Sequence, residues 1–433
     1  MQKTNTIRIT EEFRKAMDLF TGSNKNLYVS GVAGTGKSTL LSLFLEKNEK
    51  NTVVLAPTGI AALNVGGSTI HSFFQFPLRV LEEDEILYRR RLANLFQKLE
   101  TVIIDEISMV RADLLDAIDI SLRLHRNSKK PFGGVQMVFF GDVMQLPPVV
   151  VGKELTDYFA DMYGGPYFFN AHVFSQIEFV HIELTEIFRQ KDEYFINILN
   201  KIRMDEVDRY IIDILNKNYR AEGINQLEDG VLTICTTNRD AASINDTKMK
   251  MLKTKPFTFA ADIEGKFEEK FYPTDAALVL RQGTQVMMLR NDSEKRWVNG
   301  KIGIISQLDE NILTVRFEEG EYPVKRHTWE MLEYVYNRES RKIESQVIGT
   351  FTQYPVVPAW AITIHKSQGQ TFDRVNIHLG RGAFAHGQVY VALSRATSLS
   401  GITLLRRITM RDILVDPLVV HFVQSGTKFL TEG

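Results

Sequence analysis

The chain has 433 residues, enough for two or more domains with their own cores, and its 44% hydrophobic and 24% charged content is an ordinary globular balance. Lys and Arg total 52 against 53 Asp and Glu, so bulk charge points to no polyanionic partner; any nucleic-acid surface must concentrate its cations in one groove. The one cysteine, Cys235, excludes an internal disulfide, and neither a signal-peptide run nor a stretch of about 20 apolar residues is present, so the expectation is an intracellular chain (cytoplasm or nucleoid if bacterial) with no membrane partner.

In chain order, residues 1–190 alternate short apolar runs with helical patterns. NLYVSG (26–31), TVVLAP (52–57), TVIIDE (101–106) and QMVFFGD (136–142) each predict a buried strand that ends in residues suited to chemistry. Such alternation predicts a parallel α/β sheet with its ligands at the carboxyl ends of the strands. The charged segment PLRVLEEDEILYRRRLANLF (77–96) interrupts the pattern and is assigned as a small subdomain. EISMVRADLLDAIDISLRLHR (106–126) predicts an amphipathic helix, with Leu114, Leu115, Ile118 and Leu122 facing the core and Asp119 paired with Arg123. A second α/β region is assigned to 191–250 and 345–433, and 251–344 to an all-β insert.

Gly31-Val32-Ala33-Gly34-Thr35-Gly36-Lys37-Ser38 matches the phosphate-cradling pattern G-x-x-x-x-G-K-[ST], between a strand and the helical STLLSLFLEK. Its glycines let backbone N–H groups close around phosphates at a helix N-terminus. Ala33, Gly34, Thr35, Gly36, Lys37, Ser38 and Thr39, with Gly369 from the second region, form the expected nucleotide set. Within it Lys37 neutralises the β and γ phosphates and Ser38 ligates Mg²⁺. Asp105 would hold that Mg²⁺ through water, and Glu106 would orient or deprotonate the attacking water, an arrangement suited to hydrolysis. TNRD (237–240) does not fit a guanine-reading Asn-Lys-x-Asp, which favours ATP. In GDVMQLPPV (141–149), Gln145 can bond both a γ-phosphate and the water. Arg189 and Arg395 are open to a role on transition-state charge or to a structural one.

GVAGTGKSTLL, LAPTGIAALNVGGSTIHSFF, VIIDEISMV, GDVMQLPPV, LTEIFRQ, TIHKSQGQTF and VYVALSRA occur in the order of superfamily-one helicase motifs. The stretch after Asp105-Glu106 resembles the signature of petite-integration-frequency (Pif) helicases. The resemblance spans about residues 8 to 412. It implies two RecA-like domains with ATP between them, a wedge at 77–96 and an SH3-like β insert. It also implies that Glu106 is the catalytic base, Gln145 the γ-phosphate sensor, and Arg189 and Arg395 arginine fingers. The family opens with a motif whose glutamine reads adenine. Here ITEEF (9–13) puts Phe13 in that slot, implying weaker adenine selectivity or another polar reader.

For the substrate, Gly59, Gly66 and Gly67 permit close backbone approach, and Thr58, Ser68, Thr69, His71 and Ser72 offer phosphate hydrogen bonds. Phe73, Phe74 and Phe76 either stack bases or belong to the core. Thr363, His365 and Lys366 fall at a strand-to-helix turn in a motif matching the family's DNA-contacting loop, and are read as phosphate contacts. Single-stranded DNA and its junctions with duplex are therefore the expected partners of an enzyme acting as a monomer. Movement 5′ to 3′, and substrates such as forks, RNA–DNA hybrids or four-stranded G-rich structures, come from the resemblance alone. A translocase without strong unwinding and a nucleotide-gated binding module are the alternatives.

Overall fold

The computed structural model describes residues 9–190, 192–221, 223, 226–425 and 430–432. A first sheet carries seven parallel strands in the spatial order Leu430–Glu432, Phe179–Leu184, Asn26–Gly31, Gln136–Gly141, Thr101–Ile104, Thr52–Ala56 and Ser68–Thr69. Its central strands are apolar without interruption because both faces are covered, and the two-residue period of a strand sorts them into two cores. Tyr28, Leu55, Val102, Ile104 and Phe139 face one. Leu27, Val29, Val54, Ile103, Val138 and Phe140 face the other. Parallel pairing sends Gly31, Ile104 and Gly141 out at the same edge, so the chemistry-bearing residues after each strand converge.

The helix Ala112–Arg126 buries Leu114, Leu115, Ile118 and Leu122, and Asp119 pairs with Arg123 at 2.7 Å. It is more enclosed than an amphipathic helix, because Asp113, Asp116, Asp119 and His125 are also buried. Each carboxylate fastens a neighbouring loop. Asp113 accepts from Leu81 N, Asp116 from His172 N and Val173 N, and Asp119 from Phe132 N.

A second sheet has four parallel strands in the order Ala361–Thr363, Leu232–Cys235, Val375–His378 and Ile402–Leu404. The insert is a five-stranded antiparallel sheet, ordered Gly320–Pro323, Leu313–Phe317, Ile302–Leu308, Gln285–Met288 and Val356–Pro358, with a core of its own. A long hairpin, His327–Asn337 with Lys342–Gln353, leaves this insert and docks on the first domain. Tyr334 Oη accepts from Val54 N at 3.2 Å, Ile343 N donates to Asn51 at 2.8 Å, and Arg91 pairs with Glu333 at 2.6 Å. Among the described residues no helix is long and apolar enough to cross a membrane.

Three boundaries move. The insert runs past 344, because Val356–Pro358 pairs with Gln285–Met288; the second sheet resumes at Ala361. The end of the chain returns to the first domain. In the helix Pro417–Ser425, Val419 is buried in the first core and Phe422 stacks on Phe169 at 4.2 Å. Leu430–Glu432 then pairs with Phe179–Leu184 and covers what would be a bare sheet edge. Within 77–96, only the first part stands outward, where Leu78, Leu87 and Tyr88 are exposed. The helix Arg90–Lys98 buries Leu92, Ala93, Leu95 and Phe96 and belongs to the first domain's core.

Replacing the fully buried Leu115 by Ala is expected to lower stability by about 2–5 kcal/mol, read from urea unfolding of the whole chain. A loss below about 1 kcal/mol would contradict the packing described for this helix.

Candidate active site

A cavity of about 700 Å³ lies between the two parallel sheets. Ala33, Gly34, Thr35, Gly36, Lys37, Ser38, Thr39, Glu106 and Gln145 line it from the first domain, and Gly369, Thr371 and Arg395 from the second. Arg189 and Phe188 line it from the segment that joins them. The loop that opens it depends on two glycines with positive φ. Gly34 has φ +90°, and a Cβ there would sit 2.4 Å from Arg189 Cβ; Gly36 has φ +86° and caps the helix Lys37–Glu46. Phe188 N donates to Gly34 O at 2.9 Å, so the joining segment is strapped across the loop.

Phe13 lies in the helix Glu11–Gly22 and is buried in the first domain's core, yet its ring edge forms part of the cavity wall against Gly36. With Phe188, which is 42% exposed, it gives the cavity an aromatic lining. Thr39 and Thr371 also line the cavity beyond the phosphate loop.

Lys37 Nζ donates to Gly31 O at 2.6 Å and Val32 O at 3.3 Å, folded onto its own loop, and burial lowers its pKa. Glu106 sits at φ +53°, a strained conformation for a side chain with a Cβ, of the kind found at functional sites. Burial raises its pKa against the pull of Lys37 and Arg395. Asp105 lies behind it rather than in the cavity wall, and burial together with the Glu106 charge raises its pKa too. Arg395 is 1% exposed, and burial, with Arg189 alongside, pushes it down to about 9. Its guanidinium is held by Val391 O, Ser367 O and Ser394 Oγ, and that of Arg189 by Ser394 O and Gly369 O. None of Lys37, Arg189 and Arg395 has a carboxylate within ion-pair distance among the described residues.

The substrate candidates divide. Thr58 and Thr69 cap the short helices Gly59–Val65 and Ile70–Phe74, which leaves His71 half-buried and Ser72 exposed beyond the carboxyl end of Thr52–Ala56. In the second domain Thr363 ends a strand and accepts from Lys366 N, while His365 and Lys366 are exposed in the following turn. Partial desolvation lowers the pKa of both His71 and His365. Phe73 is corrected: it is 6% exposed, with Phe74, Phe96 and Tyr334 rings at 5.0, 5.4 and 5.8 Å, so its ring belongs to the core and is closed to bases. The glycines near it serve packing. A Cβ on Gly67 would meet Val54 O at 2.4 Å, and one on Gly59 the Phe271 ring at 2.4 Å.

Sequence reasoning missed several residues that cross between the domains. Tyr390 Oη accepts from Ala33 N at 3.4 Å, Gln190 bonds Ser394 O and Ala396 O, and Arg203 pairs with Asp142 at 3.2 Å. Tyr390 lies within a quoted motif and could have been singled out as a lone phenol in an apolar helix. Arg203, the last residue of an ordinary helix, carries no such signal.

The sequence profile of the PIF1-like helicases matches residues 8–221. The ATP-dependent DNA helicase Pif1 of Bdellovibrio bacteriovorus is 31% identical over 437 residues, 98% of this chain and 94% of that protein. The vertebrate relatives are longer, and the chain spans 61% of the length of the human one. A crystal structure of Bacteroides sp Pif1 in complex with ADP-AlF4 is similar at a TM-score of 0.91 and 39% identity, covering 99% of this chain and 100% of that one. Bacteroides Pif1 bound to ssDNA is similar at a TM-score of 0.70 and 41% identity, with 97% of each chain covered. Two RecA-like sheets, the phosphate loop between them and this similarity over nearly the whole length agree: the chain belongs to the PIF1-like helicase family.

Proposed function

We propose that the protein is an ATP-dependent DNA helicase that moves 5′ to 3′ along single-stranded DNA and opens the duplex ahead. The observation that carries this reading is the set of three cations that line one cavity, the buried Arg395 and the half-buried Lys37 and Arg189, none with a carboxylate within ion-pair distance among the described residues. Buried charge is costly unless it is paired, and a triphosphate supplies the missing anion. The ADP-AlF4 and ssDNA complexes of the Bacteroides relative support the same choice of ligands.

Hydrolysis divides among the residues by position. Lys37 takes the β and γ phosphates, and Glu106 accepts a proton from the attacking water. Gln145 touches the γ-phosphate and that water, and Arg189 and Arg395 neutralise charge as it develops. The residues fit Mg²⁺ as well. Asp105 and Glu106 are adjacent half-buried carboxylates with raised pKa values, an environment that a divalent cation relieves. No cluster of three acidic, His or Cys ligands exists among the described residues, so Ser38 Oγ and Asp105 would share the ion with phosphate oxygens. Such an ion neutralises the phosphates.

Binding of ATP between the sheets draws the domains together, and hydrolysis releases them. The strand would lie over the carboxyl edges, held by Thr58, His71 and Ser72 on one domain and Thr363, His365 and Lys366 on the other. Alternate closing and opening then steps these two grips along the strand, while the outward part of the 77–89 segment, with Leu78, Leu87 and Tyr88 exposed, would divide a duplex.

With ATP, a 5′-tailed duplex is expected to be unwound and a 3′-tailed one left intact. Unwinding of the 3′-tailed substrate would reverse the assigned polarity. DNA-stimulated hydrolysis that opens neither duplex would favour a translocase. Glu106→Gln should keep ATP binding and lose about 10²- to 10⁴-fold in kcat, measured by phosphate release. Hydrolysis within about twofold of the parent would remove Glu106 from the role of base.

A further inference from the structure

We infer that Arg203 is a positioning residue that frees Gln145 for the γ-phosphate by competing with it for the Asp142 carboxylate. This inference rests on the reading of the cleft as the hydrolysis site. Asp142 follows the strand Gln136–Gly141 and is 1% exposed. Its Oδ1 accepts from Met144 N at 3.1 Å and from Arg203 Nη2 at 3.2 Å, and its Oδ2 accepts from Gln145 Nε2 at 3.2 Å. Gln145 is thus bonded to Asp142 by the amide group that a phosphate would take.

Arg203 reaches this carboxylate from the other domain. It ends the helix Glu193–Arg203, whose Phe195, Ile198, Leu199 and Ile202 lie in the second domain's core. The loop itself is shared: Val143 and Met144 pack in the first core and Leu146 in the second, and His386 meets Val143 O at 3.2 Å. Any relative motion of the domains is therefore felt at Asp142. Burial alone would raise the Asp142 pKa, but Arg203 and Lys37 outweigh it and hold the group below the usual carboxylate range, so it stays an anion throughout.

The ion pair is half made. Arg203 uses one N–H at 3.2 Å, and its Nε is buried without a partner. A guanidinium fork matches both oxygens of a carboxylate, and a buried unmet donor favours any small shift that completes the match. The second oxygen is the one Gln145 holds. Approach of the domains around ATP lets Arg203 take both oxygens and turns the Gln145 amide towards the cavity that it lines. Loss of the γ-phosphate returns Gln145 to Asp142 and loosens the pair.

The test uses the full chain. Arg203→Lys keeps the cation and removes the fork. It is expected to lower the ssDNA-stimulated kcat about tenfold, the effect of one lost hydrogen bond to a charged group, with the KM for ATP within about twofold. In a Gln145→Ala background the same change should add nothing further, because its route is already absent. Asp142→Asn removes the carboxylate for which the two groups compete, so in that background Arg203→Lys should likewise add no further loss of stimulated kcat. Parental stimulated kcat in Arg203→Lys, or a full additional loss in the Gln145→Ala background, overturns the inference. A fall in melting temperature alone, with the stimulated kcat unchanged, overturns it in favour of a purely structural pair. Retention of hydrolysis by Lys37→Ala would instead sink the underlying reading of the cleft, whatever Arg203 does.

Discussion

Three cations around one cavity, the buried Arg395 and the half-buried Lys37 and Arg189, none within ion-pair distance of a carboxylate among the described residues, are the constraint to which the rest of the molecule answers. Removing a charge from water costs several kcal/mol even after a protein relaxes around it. At Arg395 burial, with Arg189 beside it, pushes the guanidinium down to about 9. Backbone carbonyls hold Arg189 and Arg395 in place without cancelling their charge. The site is thus organised in advance for an anion of high charge, and a triphosphate is the anion that its loop is shaped to take.

Keeping such a site between two domains requires contacts that tie them without fusing them. The joining segment is strapped to the phosphate loop through Phe188 and Gly34, and Gln190 bonds the carbonyls on either side of Arg395. The loop 141–149 packs into both cores. Farther out, the hairpin 327–353 spans from the insert to the first domain through Tyr334, Ile343 and Glu333. Most of these ties are hydrogen bonds and single ion pairs rather than broad apolar faces, which suits surfaces that separate and rejoin.

The candidate nucleotide site was legible in the sequence because Lys37, Glu106, Gln145 and Arg189 follow strands of one parallel sheet, which delivers its strand ends to one edge. Arg395 follows the helix Gln388–Leu393 and was legible only through its motif. Lys37, Glu106, Gln145, Arg189 and Arg395 line one cavity although they span some 360 positions. The β insert was legible from its turn spacing, but its end was not, since Val356–Pro358 closes the insert by pairing with a strand about 70 residues earlier. The return of the chain's end to the first sheet was equally hidden, because a terminal apolar helix carries no mark of the core that it will join. Phe73 shows the limit for the substrate surface. A phenylalanine in a glycine-rich motif can stack a base or fill a core, and only the neighbouring Phe96 and Tyr334 rings decide it. Arg203 was invisible for the opposite reason, as its meaning lies wholly in a carboxylate on another domain.

The central claim is that an ATP site divided between two domains is coupled to a strand lying across both. It is tested most directly by steady-state ATP hydrolysis with and without single-stranded DNA. A many-fold rise in kcat with the strand present is predicted, and a rate indifferent to the strand would contradict the account.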